Sequence, residues 1–175
     1  GLVKRDVIRV VTPGTNLNVQ AMDESKNNFL MCIAYFEGKS GISIVDVTTG
    51  DYYLTEASDT RKLLDEINKY GPSEIVCNDA FFMSGIDVDD LKGRLHIAVY
   101  PLEAHFFDED KCRRSLLKHF RVTSLQGMGI EDFPAGLIAA GALMLYLTDT
   151  QKTDLSHLTH LYPYLTSRYM LLDSS

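Results

Sequence analysis

The chain has 175 residues, of which 45% are hydrophobic and 23% are charged, and its formal net charge is -7. This composition is typical of a globular protein with one good core, and it excludes a low-complexity or disordered chain. The acidic balance argues against a domain that binds the nucleic-acid backbone by itself, because such affinity comes largely from Lys and Arg side chains.

The predicted elements begin with strands. The run VIRVV predicts a strand at residues 7–11, and the polar segment 16–28 after it is interpreted as a loop and a candidate domain boundary. Three further runs on short turns, at residues 29–36, 42–47 and 52–55, predict an antiparallel meander. The first of them, FLMCIAYF, is continuously apolar, which favours a central strand buried on both faces.

Helices alternate with strands in the middle of the chain. The apolar residues of segment 58–70 fall on one face of a helix, with Ser58 as a plausible cap and Gly71 as a stop signal. A strand at residues 74–77 returns after this helix, and such a crossover predicts a parallel neighbour in the same sheet. Two short helical turns within 78–93, a strand at 95–100, a helix at 108–120 and a loop at 122–131 complete this part.

The longest predicted element is a helix at residues 133–152. Its uncharged part is shorter than the roughly 20 residues that span a membrane, so a buried helix is predicted. Pro134 suits the first helical position, and Asp132 is a candidate cap or dipole partner. Gly136 and Gly141 each disfavour a helix by about 1 kcal/mol relative to alanine, so we expect another element to pack closely there.

A short apolar run at residues 169–173 predicts one more strand. Together the elements predict an α/β protein with a mixed sheet of about five strands flanked by helices. The chain has three cysteines, Cys32, Cys77 and Cys112. Their odd number and wide spacing favour free, buried thiols in a reducing, cytoplasmic environment.

Two glycine-containing stretches resemble phosphate-binding motifs without completing them. Residues 38–40, Gly-Lys-Ser, end like a P-loop, but the required earlier glycine is Ile33 and a strand follows instead of a helix. Residues 127–129, Gly-Met-Gly, lack the third glycine of a dinucleotide fingerprint and a preceding strand. A hairpin turn and a loop are therefore predicted at these positions.

Metal ligands are sparse. His157 and His160 have a helical spacing, but only Asp154 is near enough to be a third ligand, and zinc usually takes three or four. Four acids could in principle converge on Mg²⁺: Asp46, Asp51, Asp79 and Asp132. Asp46, on a strand, faces either solvent or a partner, and solvent is the default interpretation.

One basic cluster stands out within the predicted helix at residues 108–120. Arg113, Arg114 and Lys118 are its candidate partner-docking residues. The alternative is that Glu109–Arg113 and Asp110–Arg114 form ordinary i, i+4 ion pairs and that the last cations complement the helix dipole. No catalytic residue is predicted, which points to a binding or coupling role.

Three stretches of the sequence are similar to one family. VKRDVIRVVTPGT at residues 3–15 resembles the end of the mismatch-binding domain of MutS proteins, AAGALMLYLTDTQKTDLSHL at 139–158 resembles the end of their connector domain, and YMLLD at 169–173 resembles the start of their core. The segment DVTTGDY at 46–52 also fits the connector. The chain is thus identified as a member of the bacterial MutS DNA mismatch repair family.

The resemblance implies a division into the tail of the mismatch-binding domain at residues 1–28, a connector at 29–152 and the start of the lever and core at 153–175. The connector of this family is similar to ribonuclease H, but the first predicted strand has no acid before Glu37, so a nuclease site is not expected. The family's mismatch-reading and ATPase domains are not recognised here, so ATP and Mg²⁺ would belong to the parent protein and no cofactor is expected in this chain.

The role that the resemblance implies is non-catalytic. The connector would couple mismatched-DNA binding to the ATPase, contribute to docking MutL, and sit in a homodimeric parent protein. The polar helix end at residues 148–152 would act as a rigid lever into the core. The alternatives are a metal-dependent nuclease on the same fold and a stand-alone nucleic-acid-binding domain.

Overall fold

A six-stranded mixed sheet is the centre of the computed structural model, which describes residues 27–151 and 154–166. The strands are β1 (Leu30–Phe36), β2 (Lys39–Asp46), β3 (Asp51–Ala57), β4 (Glu74–Cys77), β5 (Ala98–Pro101) and β6 (Tyr162–Pro163). Their order is β5-β4-β1-β2-β3-β6. The strands predicted at residues 7–11 and 169–173, and most of the loop at 16–28, lie outside the described residues.

The antiparallel meander and the parallel crossover are both confirmed. β1 pairs with β2, and β2 with β3, in antiparallel register. β4 lies parallel to β1 on its other side, and β5 lies parallel to β4. The Gly-Lys-Ser stretch forms the β1–β2 hairpin, where Glu37 and Gly38 have φ values of 50° and 93°. A turn with two positive φ values suits this short connection and no phosphate-binding loop.

In the described part of the chain, four α-helices flank the sheet: α1 (Thr60–Tyr70), α2 (Val88–Gly93), α3 (Glu109–Phe120) and α4 (Pro134–Thr150). Asp59 caps α1 by accepting a hydrogen bond from the Lys62 amide, so Ser58 is not the cap. Gly71 ends the helix in the left-handed conformation, as predicted. Short 3₁₀ turns occur at Asp79–Met83, Ala104–Phe107 and Gln126–Met128.

Each face of the sheet carries its own core, because successive side chains of a strand point to opposite faces. Leu30, Cys32 and Ala34 of β1 pack with the buried residues of α3 and α4. Met31 and Ile33 pack on the other face with Leu63 and Ile67 of α1. The continuously apolar β1 is therefore central and doubly buried, which confirms its interpretation from the sequence.

The small residues of α4 allow close contact with its neighbours, as expected. A Cβ atom on Gly136 would lie 2.7 Å from the Thr55 carbonyl oxygen, and one on Gly141 would lie 2.6 Å from the Cys112 carbonyl oxygen. Asp132 is not the cap of this helix. The Glu56 carboxylate of β3 instead accepts hydrogen bonds from the amides of Ala135, at 2.6 Å, and Gly136, at 3.2 Å. A long-range carboxylate thus stabilises the positive end of the helix dipole.

The chain after α4 turns back onto the sheet. α4 ends at Thr150, and Gln151 is already extended. Residues 154–166, which we call the outgoing segment, return along the sheet, and β6 within them pairs in parallel with β3. The expected rigid lever at residues 148–152 therefore does not extend beyond Thr150 as a helix. Among the described residues, no helix is long and apolar enough to cross a membrane.

Candidate interdomain junction and docking surface

The first part of the candidate site is a buried carboxylate, Asp46, at the end of β2. One of its oxygens accepts hydrogen bonds from the Asn27 side-chain amide at 2.9 Å and the Asn28 backbone amide at 3.0 Å. The other accepts from the Thr48 amide at 2.9 Å and the Thr48 hydroxyl at 2.5 Å. The default interpretation of Asp46 as solvent-facing is wrong, because these donors cover it completely.

The hydrogen bonds also set the charge state of Asp46. Burial alone would raise the pKa of this carboxyl, but donors from Thr48, Asn27 and Asn28 outweigh burial and hold the pKa below its usual value of 3.8. Asp46 is therefore an anion at neutral pH. It fastens the start of the described chain to the turn at residues 47–50, which we call the β2–β3 turn.

The outgoing segment contacts the same β2–β3 turn from the other side. The His157 ring donates a hydrogen bond from Nε2 to the Val47 carbonyl oxygen. Gly50, at φ 87°, brings its backbone so close to His157 that an added Cβ would lie 3.3 Å from the His157 carbonyl oxygen. The chain segments that lead into and out of the domain thus meet within a few residues of Asp46.

Further contacts fix the outgoing segment along β3. The Thr55 hydroxyl donates to the Tyr164 carbonyl oxygen at 2.6 Å, and the Thr166 hydroxyl donates to the Glu56 carbonyl oxygen at 3.1 Å. The Tyr164 hydroxyl donates to the buried Glu66 carboxylate of α1. Burial and this carboxylate raise the pKa of the Tyr164 phenol, so it remains a neutral donor.

The end of the sheet at which β1 and β4 begin holds another buried carboxylate besides Asp46. Glu74 of β4 accepts a hydrogen bond at 2.9 Å from the hydroxyl of Tyr146, which lies in the last turn but one of α4. The end of α4 is therefore tied to the parallel half of the sheet. Asp46 and Glu74 lie at the same end of the sheet. Three segments meet there through hydrogen bonds: residues 27–28, the end of α4 and the outgoing segment.

The second part of the candidate site is the exposed side of α3, where Arg113, Arg114 and Lys118 were singled out. Arg113 is engaged by its own chain: its guanidinium lies 3.0 Å from Glu131 and 3.4 Å from Glu109. These acids raise the pKa of Arg113, chiefly through Glu131. The predicted Glu109–Arg113 pair is confirmed. No Asp110–Arg114 pair forms within 4.0 Å in the part of the chain that the structure describes.

Arg114 and Lys118 instead line an open groove of about 590 Å³ between α3 and α4. Lys111 is the third cation of the groove. Its apolar lining consists of Leu117 on α3, Val122 just after α3, and Leu145 on α4. The groove thus combines an apolar floor with a basic wall, as at an interface with an apolar centre and a polar rim.

The residues of the two metal sites considered from the sequence, one of histidines and one of acids, do not come together in the structure. Across residues 27–151 and 154–166, no three His, Cys, Asp or Glu side chains come together in a way that could hold a metal ion. His157 is not on a helix and is bound to Val47, while His160 stacks on Tyr162. The three cysteines are free and buried, as predicted, and burial raises the pKa of both Cys77 and Cys112 to about 12.

Sequence reasoning missed several residues of the site. Nothing in the local pattern distinguishes Asp46 from a solvated strand acid, although the Asp-x-Thr spacing at Asp46 and Thr48 is typical of an Asx-turn and could have signalled it. Lys111 was within the predicted helix and lies three residues before Arg114, on the same face. Val122 and Leu145 join the groove only through the crossing of α3 and α4, which no local signal predicts.

Comparisons with known proteins agree with the resemblance. The family model described as MutS domain II matches residues 28–159. A protein named DNA mismatch repair protein MutS from Lachnoclostridium phytofermentans is 57% identical over the whole chain, which covers 19% of that protein. Proteins of the same name from Ruminiclostridium cellulolyticum and Acetivibrio thermocellus are 40% and 39% identical, and the chain covers 20% of each. The chain thus spans about a fifth of the length of these relatives.

Proposed function

This chain belongs to the MutS family of DNA mismatch repair proteins, whose domain II model matches residues 28–159, and we propose that this domain couples mismatch binding to the ATPase of the parent protein. It is non-catalytic in this proposal. ATP and Mg²⁺ would bind to other parts of the parent protein, which would be a cytoplasmic homodimer that holds mismatched duplex DNA.

One observation carries the proposal: Asp46 and the β2–β3 turn that follows it are hydrogen-bonded to the segments on both sides of the domain. Asp46 binds Asn27 and Asn28 before β1, and Val47 binds His157 after α4. A displacement of either segment would disturb the same short turn. Two segments that bias one element can couple their positions energetically, and such coupling is measurable as a free energy.

We also infer that the domain contributes to docking MutL, through the exposed side of α3. Arg114 and Lys118 support this, because they are exposed cations without an ion pair among the described residues, on a chain of net charge -7. Arg113 is the weaker candidate of the three, since Glu131 and Glu109 hold its guanidinium.

The test of coupling uses full-length MutS that contains this chain. Mismatched-duplex affinity is measured with and without a non-hydrolysable ATP analogue, and the ratio gives the coupling free energy. His157→Ala removes the contact to Val47 at an exposed residue, so folding should survive. We expect it to reduce the ratio several-fold while the affinity of the nucleotide-free protein for mismatched DNA stays unchanged.

His160→Ala is the matched control, because His160 lies three residues away, hydrogen-bonds to its neighbour Thr159 and stacks on Tyr162, and makes no hydrogen bond to the β2–β3 turn in the described part of the chain. An unchanged ratio in the His157→Ala variant would show that this contact does not transmit between the two sites. A reduced ratio in both variants would point to a general loosening of the outgoing segment, and would equally count against the specific role of the β2–β3 turn.

A further inference from the structure

β5 lies at one edge of the sheet, and β6 lies at the other. One side of β5 pairs in parallel with β4, whereas its outer side has no neighbouring strand among the described residues. We propose that this outer side binds an extended, acidic segment of a partner protein, which adds a strand to the sheet. β5 contributes no residue to the β2–β3 turn or to α3, so this binding is independent of the coupling role and of MutL docking.

The hydrogen bonds between β5 and β4 determine which backbone groups of β5 point outward. The Ala98 amide donates to the Ser73 carbonyl oxygen at 3.2 Å, so Ala98 faces β4. Successive residues of a strand direct their backbone groups to alternate sides, and therefore Val99 and Pro101 face the outer side. Val99 presents an N–H and a C=O there, but Pro101 presents only a C=O because proline has no N–H.

These outward groups select the chemistry of the occupant. An extended peptide segment carries donors and acceptors in alternation, so one of its residues can exchange two hydrogen bonds with Val99. A further N–H of the segment can donate to the Pro101 carbonyl oxygen. A phosphate backbone accepts hydrogen bonds but does not donate them, so it would match only the Val99 N–H. The outer side of β5 therefore fits an added strand better than a nucleic acid.

A groove of about 460 Å³ runs along this side of β5, and its charge favours an acidic segment. Residues 96–100 line the groove together with Lys92 of α2, and no acid lines it in the described part of the chain. Lys92 and His96 are exposed, and neither forms an ion pair within residues 27–151 and 154–166. Arg94, between them in the sequence, is engaged by Asp90 at 2.9 Å. On a chain of net charge -7, the groove is thus a local site for carboxylates.

The outer side of β5 is held in place by its own chain. His96, at φ 59°, adopts the left-handed conformation and turns the chain from α2 into β5. The Ile97 amide donates to the Leu91 carbonyl oxygen at 3.0 Å. The Val99 side chain is only 4% exposed and packs into the same core as α1. An added strand therefore meets a preformed edge and does not have to order it.

The test is a titration of the 175-residue chain with a synthetic peptide of alternating Thr and Glu, observed by NMR at the Val99 amide. We expect a Kd of about 0.1–1 mM, because the edge offers only one full residue pair. Binding should shift the Val99 amide resonance and slow its hydrogen exchange by about threefold or more. A peptide of alternating Thr and Lys, with the same length, should bind about fivefold more weakly or worse.

Val99→Pro removes the outward N–H and leaves the bonds of Ala98 and Tyr100 to β4 in place, because proline is tolerated where its nitrogen faces away from the ladder. It should lower the affinity for the Thr–Glu peptide about fivefold or more. Val99→Ala is the matched control, since it loses buried methyl groups but keeps the N–H, and its affinity should stay within about twofold. Equal binding by the folded Val99→Pro variant and the unaltered chain would rule out strand addition.

Lys92→Glu tests the charge of the groove and stands in for Val99→Pro if that variant does not fold. It should weaken binding of the Thr–Glu peptide about fivefold at low salt, whereas Lys62→Glu, the same change on α1, should not. Equal affinity for the two peptides, or no binding of either at millimolar concentration, would refute an acidic partner strand.

Two other occupants have their own signatures in the same spectra. A larger shift of the Val99 amide with inorganic phosphate or duplex DNA than with the Thr–Glu peptide would assign the groove to nucleic acid. Association of the unaltered chain with itself at rising concentration, abolished by Val99→Pro, would identify a second copy of the chain as the added strand. Either result would overturn the proposal of a partner protein.

Discussion

Replacing Asp46 with asparagine tests the junction most directly. The substitution keeps the shape of the side chain but removes its charge and turns one acceptor oxygen into a donor. In either orientation the new NH₂ group faces one backbone amide, that of Asn28 or that of Thr48, which the carboxylate now accepts at 3.0 Å or 2.9 Å. A backbone N–H cannot reverse its role, so one buried donor loses its partner.

The magnitude follows from these contacts. Hydrogen bonds to a charged group contribute about 1.5–3 kcal/mol each, and a buried donor without a partner costs about 1–3 kcal/mol. The side chains of Asn27 and Thr48 can reorient and recover part of this loss. We therefore expect Asp46→Asn to lower the free energy of unfolding by about 2–3 kcal/mol, which shifts a urea midpoint by about 1 M.

The pH dependence gives the sign of the electrostatic part. Because the pKa of Asp46 is lower in the folded state than its ordinary value of 3.8, its contribution to stability is complete above that value and is lost as the pH falls through the folded pKa. The difference in unfolding free energy between the unaltered protein and the Asp46→Asn variant should be constant from neutral pH down to about pH 5 and should shrink below it.

The assay is urea unfolding of both proteins by circular dichroism between pH 7 and pH 2.5. Asp51→Asn is the control, since Asp51 accepts from the exposed Thr49 hydroxyl on the far side of the same turn, and it should change stability by less than about 1 kcal/mol. A loss below about 0.5 kcal/mol for Asp46→Asn, or a difference that persists unchanged at the lowest pH, would refute the reasoning.

Three further predictions concern packing, a buried acid and metals. Gly141→Val should lower the melting temperature by several degrees, because its Cβ would lie within 2.6 Å of the Cys112 carbonyl oxygen and overpacking costs about 1–3 kcal/mol; Gly127→Val, at an open position, should not. Tyr146→Phe should cost about 1–3 kcal/mol in urea unfolding, because the buried Glu74 carboxylate loses a donor. Millimolar Mg²⁺ should leave the melting temperature unchanged, and a rise of several degrees would support the metal-dependent nuclease instead.

Elements that are determined by residues close together in the sequence were predicted correctly. The helix expected at residues 108–120 is α3, Glu109–Phe120, because Asp108 accepts a hydrogen bond from the Lys111 amide and the terminal charges match the helix dipole. The strand at residues 74–77 was predicted to the residue. The glycines of α4 predicted close packing correctly, since a glycine inside a helix requires a tertiary reason.

Features that depend on distant partners escaped prediction. β6 has only two residues and exists because it pairs with Tyr53 and Leu54 of β3. The cap of α4 comes from Glu56, far back in the sequence, so the adjacent Asp132 was the natural but wrong choice. Asp46 is engaged by Asn27 and Asn28, which cross the end of β2 and lie 19 and 18 residues before it in the sequence. The division of the chain at residues 28 and 152 stays a prediction.

The parallel pairing of the outgoing segment with β3 determines how the domain resists tension. β3 and β1 point the same way, so a chain held at Asn28 and pulled beyond Thr166 is loaded along the strand axis. The contacts of the outgoing segment to Leu54, Thr55 and Glu56 then bear this load together, in shear. They cannot open one after another, as they would if the segment were peeled sideways. The domain is therefore stiff to a pull along the sheet and compliant to one across it.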